Sequence, residues 1–426
     1  MTQLLDLPEE LLTEILSHVP LTGRNRNLYN ACLTCRQLDC LARPLLFSIH
    51  GPDGLCTKSF LNFLWCLCEN PEYGAWIREM VVDYPGVVGR HLRFQDHLDD
   101  ERGEGMMSLL RQYMKALPYG ANPEIFKDRL VSDKLGRGCQ DAANLLLLGL
   151  ATGLKTLTCQ PPDGMGGRKG WDDFLLYRVL ASGPRAKSTS EPQTVPPPPS
   201  GFLENLVEVR LVDVFDWDTG WGGYLGFEGS VGGPFLKLPS LKIFYAQNIS
   251  LHFALNRDWD PNSPSFPAPG TSNVEILEFD GCHVDDSGLT SYVRSCKALK
   301  KLIIRQPDIT PRSFALDTML LGEVSARVLS DMILLHEESL EELMFMLTYQ
   351  GRVGSDPREG GSKSCLRHCK KLRKLGVRYR KEILAWEGIG REQFREALPP
   401  SLESLTEEEP GGLSLVWEGP AWGPDL

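Results

Sequence analysis

The 426-residue chain lacks any apolar run of bilayer length. Runs such as LLLLGLA at 145–151 fall far short of the roughly 20 residues a spanning helix needs. The opening MTQLLDLPEE has no basic stretch followed by an apolar one, so no secretory leader is expected. Positive charge is not in excess: the net charge is −11, which disfavours non-specific binding to nucleic acid. Only the segment from Lys363 to Lys381 is locally basic. G-x-S-x-G, H-E-x-x-H and G-x-G-x-x-G do not occur. GMGGRKG at 164–170 lacks the order of a phosphate-cradling loop and reads as a turn. Asp285 and Asp286 are adjacent, so on a helix or strand they do not converge on one substrate. These absences describe a cytoplasmic or nuclear chain with no catalytic residues, no cofactor, no metal, and neither membrane nor nucleic acid among its partners.

Cysteine is present in quantity, with twelve residues. In a chain without an export signal they are expected to stay reduced and to pack as small apolar side chains. Cys32, Cys35 and Cys40 supply at most three ligands where a closed zinc site needs four, and no histidine follows at finger spacing. A redox C-x-x-C would need a preceding strand. Cys365 and Cys369 with His368 pose the same question, and the position of Cys369 just before a strand favours packing.

The N-terminal residues are patterned for helices. In DLPEELLTEILSHVP, Pro8 suits a first helical turn, and Glu9 and Glu10 suit its positive dipole end. Leu11, Leu12, Ile15, Leu16 and Val19 then form a wide apolar stripe, and Pro20 stops the helix. A second stretch places Leu28, Ala31, Cys32, Cys35, Leu38 and Ala42 on one helical face and ends at Pro44. Thr34 and Gln37 fit a capping box, which marks a break there. Some 45 residues with two such stripes cannot stabilise themselves and must pack on the rest of the chain, on a partner, or on both.

The sequence LPEELLTEIL followed by L-x-x-x-L-T-C-R-x-L resembles an F-box, the adaptor-binding module of SCF-type ubiquitin ligases, over Leu5 to Phe47. Leu7 and Pro8 match the family's opening. Leu11, Leu12, Ile15 and Leu16 match its helix, and Leu33, Cys35 and Arg36 its second segment. Leu38 stands where the family often has tryptophan, and CLARPLLFSI is similar to the fungal form. The resemblance implies that residues 1–50 bind the ligase's adaptor subunit through Leu7, Pro8, Leu11, Leu12, Ile15, Leu16, Leu33, Arg36 and Leu38. It implies further that the adaptor joins the chain to a cullin scaffold, and that the chain itself catalyses nothing.

From residue 51 onward the sequence repeats one form: apolar, two residues, apolar, one residue, apolar. It starts at Ile77, Leu154, Leu206, Leu241, Val274, Leu299, Leu340 and Leu372, and incompletely at Leu402. Roughly one start position in fourteen matches this form by chance, so context decides. VEILEF runs through a turn at Cys282 and an amphipathic stretch with Leu289, Tyr292 and Val293, with Ser287 as an N-cap, to Cys296 and then to KKLII. CLRHCKKLRKLGV repeats the last step. This resembles a cysteine-containing leucine-rich repeat. The starts from 206 are spaced 35, 33, 25, 41, 32 and 30 residues, longer than the usual period, so insertions are expected.

The expected fold is therefore α/β: a small helical F-box at 1–50 and an irregular leucine-rich-repeat solenoid with a parallel sheet at 51–426. The repeat surface is expected to bind a protein substrate. Residues 183–201 are Pro/Ser-rich and read as a disordered loop. Long loops are expected near 216–234 and 254–273, the first presenting Trp217, Trp221, Tyr224 and Phe227 as a partner surface or as a cover for the core. Residues 90–150 read as helix-rich.

Overall fold

The computed structural model describes residues 4–20, 23–50, 57–82, 137–159, 180, 202–212, 232–251, 266–305, 324–346, 365–377, 397–408 and 414–418. The chain divides into two compact units, one of residues 1–159 with 182–206 and one of residues 160–181 with 207–426.

In the first unit a 3-10 turn at Leu4–Asp6 leads to α1 (Glu9–Ser17), α2 (Arg24–Thr34) and α3 (Arg36–Phe47). Helices α1 and α2 both pack on α3. Strand β1 (Ile49–His50) follows at once and pairs in parallel with β2 (Glu79–Val82), which pairs in parallel with β3 (Thr156–Cys159). The helices α4 (Thr57–Glu69) and α5 (Arg137–Leu150) pack together.

Three sequence expectations at the N-terminus need correction. Pro8 occupies the N-cap of α1 rather than its first turn, and its carbonyl accepts from the Leu12 N–H at 3.1 Å. The predicted break between the second and third helices is present, but Cys35, extended at φ −159°, is the residue between them. Thr34 makes no capping box; its hydroxyl donates back to the Asn30 carbonyl at 3.0 Å. Pro44 does not end α3, which runs on to Phe47. A proline inside a helix removes one backbone bond. Aromatic packing offsets that loss, because the Phe47 ring lies 5.6, 5.0 and 6.2 Å from those of Phe63, Tyr73 and Trp76. One turn earlier Arg43 grips Asp39 through Nε (3.0 Å) and Nη2 (2.6 Å) and donates to the Tyr73 hydroxyl at 2.7 Å. Together these contacts fasten α3 to the 3-10 turn at Pro71–Trp76.

In the second unit the strands β4 (Glu208–Val212), β5 (Ile243–Gln247), β7 (Ile276–Asp280), β9 (Lys301–Arg305), β10 (Glu342–Met346), β11 (Lys374–Val377) and β12 (Ser404–Glu408) lie side by side and parallel. An antiparallel β13 (Ser414–Glu418) ends the sheet. The short strands β6 (Ser250–Leu251) and β8 (His283–Val284) pair apart from it. Helices α6 (Asp286–Ser295), α7 (Ala326–Leu334) and α8 (Cys365–His368) precede β9, β10 and β11, and each packs on the next.

The repeated form of the sequence sets the register. Leu206, Leu241, Val274, Leu299, Leu340, Leu372 and Leu402 are all buried before their strands. The second apolar positions, Val209, Phe244, Leu277, Leu302, Leu343, Leu375 and Leu405, stand opposite one another and are buried too. The third, from Leu211 to Val377, behave alike. The sheet strands β5, β7, β9, β10, β11 and β12 each begin with one backbone step: two successive N–H groups donate to one carbonyl of the preceding strand's entry. Lys242 and Ile243 donate to Val207, Glu275 and Ile276 to Lys242, and Lys300 and Lys301 to Glu275. The step also occurs at the start of the first unit, where Arg78 and Glu79 donate to Ser48. It stacks the entry residues, and from β5 to β12 these alternate in sign as Lys242, Glu275, Lys300, Glu341, Arg373 and Glu403. Glu275 bonds both Lys242 and Lys300, which holds its carboxyl below the usual carboxylate range, the Lys242 bond contributing most.

Candidate functional site: the apolar face of the N-terminal helices

Seven large apolar side chains stand out as exposed among the described residues, and six of them lie in the first 33 positions. They are Leu4, Leu5, Leu11, Ile15, Tyr29 and Leu33, from 42% to 68% exposed; Leu335 is the seventh. Leu11 and Ile15 are one turn apart on α1, and Tyr29 and Leu33 one turn apart on α2. Isolated exposed leucines are ordinary, but i, i+4 pairs on two consecutive helices are not.

Packing explains why these side chains are left outside. Leu12 is fully buried and Leu16 half-buried against α3, so the wide stripe of α1 is divided: its inner edge packs and its outer edge, Leu11 and Ile15, does not. On α2, Leu28 is buried and Tyr29, 100° round the helix, is not. Of the other residues matched to the F-box pattern, Leu7 and Leu38 are half-buried, and Pro8 and Arg36 are exposed. The predicted set thus contains two roles. Leu12 and, in part, Leu16 hold the helices together, whereas Leu11, Ile15 and Leu33 face outward. Leu4, Leu5 and Tyr29 were not among the predicted residues. The i, i+4 spacing of Tyr29 to Leu33 was the available signal, hidden because the stripe was drawn through Leu28.

Of the ten described cysteines six are buried and pack as small apolar side chains; Cys32, Cys35 and Cys66 are half-buried and Cys40 is exposed. Burial pushes the thiols of Cys159, Cys282 and Cys296 up to about 12 and that of Cys68 up to about 11. The Cys32 thiol is raised, by burial first and then by the Asp39 carboxylate, the reverse of what a reactive thiolate requires. Cys365 and Cys369 are fully buried, the latter beneath the turn into β11. Asp285 and Asp286 are committed to backbone. Asp285, not Ser287, caps α6 by accepting from the Gly288 N–H at 2.6 Å, and Asp286 accepts from the Ser325 N–H at 2.6 Å.

A polar surface lies on the sheet face opposite the buried columns. The Tyr245 hydroxyl donates to Asp280 at 3.3 Å, and Arg305 donates to Glu278 at 2.9 Å, joining β5, β7 and β9. Burial, with Asp280 beside it, pushes the Tyr245 hydroxyl up to about 12. The predicted aromatic surface of Trp217, Trp221, Tyr224 and Phe227 lies outside the described residues, as do the loop 183–201 and the turn 164–170.

No protein-family model matches the chain, and no curated protein matches its sequence. No described helix is long and apolar enough to cross a membrane.

Proposed function

We propose that the chain is the substrate-recognition subunit of an SCF-type cullin ubiquitin ligase. The N-terminal helices dock on the adaptor subunit, which links them to the cullin scaffold, and the rest of the chain is an irregular leucine-rich-repeat solenoid that holds a protein substrate. The observation carrying this reading is the concentration of exposed apolar side chains on α1 and α2. Helices presenting paired apolar anchors at i, i+4 suit a partner's groove. A standard interface of about 1,600 Å² forms when a few such anchors are well packed. The sequence pattern around Leu7, Pro8 and Cys35-Arg36 supplies the choice of partner.

In this role the chain performs no bond-making. It raises the effective concentration of the substrate beside the ubiquitin-charged enzyme, converting an encounter in solution into a local one. The sheet face around Tyr245, Asp280 and Arg305 offers polar groups for the substrate, and the chain works in the cytoplasm or nucleus, where the ligase operates.

Affinity purification of the full chain from proteasome-inhibited cells tests the reading. The adaptor and cullin are expected with the wild-type chain and absent with Leu33→Asp, an exposed position whose change leaves the fold intact. Adaptor and cullin missing from the wild-type purification contradict the ligase role and leave an interaction scaffold in its place.

A further inference from the structure

Tyr245, Glu278, Asp280 and Arg305 are half-exposed and share the outward face of β5, β7 and β9. The register sets Tyr245 beside Glu278 on one rung, and Gln247, Asp280 and Arg305 side by side two residues on. Arg305 therefore stands opposite Asp280, yet its guanidinium turns back to the earlier rung. It donates to Glu278 at 2.9 Å and lies 3.9 Å from the Met344 sulfur. Glu278 and Met344 flank Ile303 in register, and Ile303 is 1% exposed. Bridging these two neighbours of Ile303, the guanidinium stays 4.0 Å from Asp280, beyond hydrogen-bond reach. The other side-chain partner of Asp280 among the described residues is the Tyr245 hydroxyl, at 3.3 Å, which is long for a bond between two oxygens. A carboxylate offers about four acceptor sites, so Asp280, its side chain 37% exposed, keeps most of its capacity. The two carboxylates also outnumber the arginine. Burial first, then Asp280 and Glu278, push the Tyr245 hydroxyl up to about 12. Lys301, on the same face, is engaged by Glu342 at 3.3 Å.

We infer that Asp280, with Tyr245 beside it, receives a positively charged side chain, lysine or arginine, of the protein bound on this face. The inference rests on the substrate-receptor reading above and names the chemistry of the substrate. The incoming cation fills the acceptor sites that Arg305 leaves open, with charge-assisted bonds, which are the stronger kind. The tyrosine ring next to it attracts cations as well. A metal ion fits less well, because no described group of three or more His, Cys, Asp or Glu side chains could hold one. An acidic group would meet two carboxylates against one arginine that is already bonded. The chain as a whole, at net charge −11, favours encounter with a basic partner.

The experiment titrates tetraarginine, and separately tetraglutamate, into the purified full chain at low ionic strength, with heat as the readout. Three variants are compared with wild type: Asp280→Asn, Arg305→Gln, and Glu69→Gln with Glu72→Gln. The last removes two exposed carboxylates from the first unit and controls for general attraction. The thermal transition checks that each variant is folded; should Arg305→Gln unfold, the Asp280→Asn comparison decides. Tetraarginine is expected to bind wild type, to bind Asp280→Asn about five- to tenfold more weakly, and to bind the control within about twofold of wild type. Arg305→Gln, which releases Glu278, is expected to bind it about threefold more tightly. Tetraglutamate is expected to give no saturable heat. No saturable binding of tetraarginine, or equal weakening by Asp280→Asn and the control, overturns the inference. So does weaker binding of tetraarginine by a folded Arg305→Gln, or tetraglutamate binding that Arg305→Gln abolishes. Adaptor binding is measured alongside. Its absence in wild type removes the ligase reading whatever the peptides do, and its presence confines a failed titration to this inference.

Discussion

Leu11 and Leu12 are neighbours of one residue type on one helix, yet they answer to different forces. Leu12 is 1% exposed and Leu11 51%. Leu12→Ala removes packed methyl groups and is expected to cost about 2–5 kcal/mol, read as a lower denaturation midpoint. Leu11→Ala is expected to leave that midpoint within about 0.5 kcal/mol of wild type. The caps are a second case. Asp285→Ala removes the acceptor of the Gly288 N–H and is expected to cost about 1 kcal/mol in urea denaturation. Ser287→Ala, at the position favoured from sequence, should not. Sequence pattern marked the right turn here but chose the wrong residue, because Ser and Asp are both good caps and only backbone geometry selects between them.

His50 gives the pH dependence. It is buried and stacked on Phe63 with ring centroids 4.5 Å apart, and burial pushes its imidazole from 6.5 down to about 4. His336 is lowered as well, chiefly by burial; its Nδ1 accepts from the Leu299 N–H at 3.3 Å and its Nε2 donates to the Val293 carbonyl at 3.1 Å. The unfolded chain takes up these protons at a higher pH than the folded chain. Stability is therefore complete above about pH 6.5 and falls as pH drops toward 4, by about 3 kcal/mol for His50 alone. Urea midpoints measured from pH 7.5 to 4 check this; a flat profile contradicts the neutral, buried imidazoles.

At the scale of elements, the strands were legible and the helix boundaries were not. The apolar form starting at each of Leu206, Leu241, Val274, Leu299, Leu340 and Leu372 marks a strand in register with its neighbours, because alternate strand positions must enter the core. Helix ends depend on contacts distant in sequence. Nothing near Pro44 announces that Phe47 will meet Phe63, Tyr73 and Trp76, which lets α3 continue. The width of the α1 stripe was visible, but its division into packed and exposed halves was not, since that needs the position of α3. Close backbone approaches were equally hidden. A Cβ on Gly74 would lie 2.0 Å from the Leu150 carbonyl oxygen, and one on Gly153 would lie 2.1 Å from that of Ala75. Gly74→Ala and Gly153→Ala are each expected to destabilise by about 3 kcal/mol, because backbone cannot yield as a flexible side chain can. Thermal denaturation of the two variants checks it.

At the scale of the whole molecule, the chain repeats one solution and departs from it once. Strand entry, buried triplet and alternating charge recur along the sheet. The first three helices pack together but also leave exposed apolar strips, which no described residue covers. A surface of that kind is retained when another protein covers it. The central claim is thus that the strips on α1 and α2 are an adaptor-docking face. Titration calorimetry of the purified chain with the purified adaptor, for wild type and for Leu11→Asp with Leu33→Asp, tests it most directly. The account predicts saturable binding by wild type, and no detectable heat from a variant that unfolds at the wild-type temperature. Equal affinity of the two proteins would contradict it.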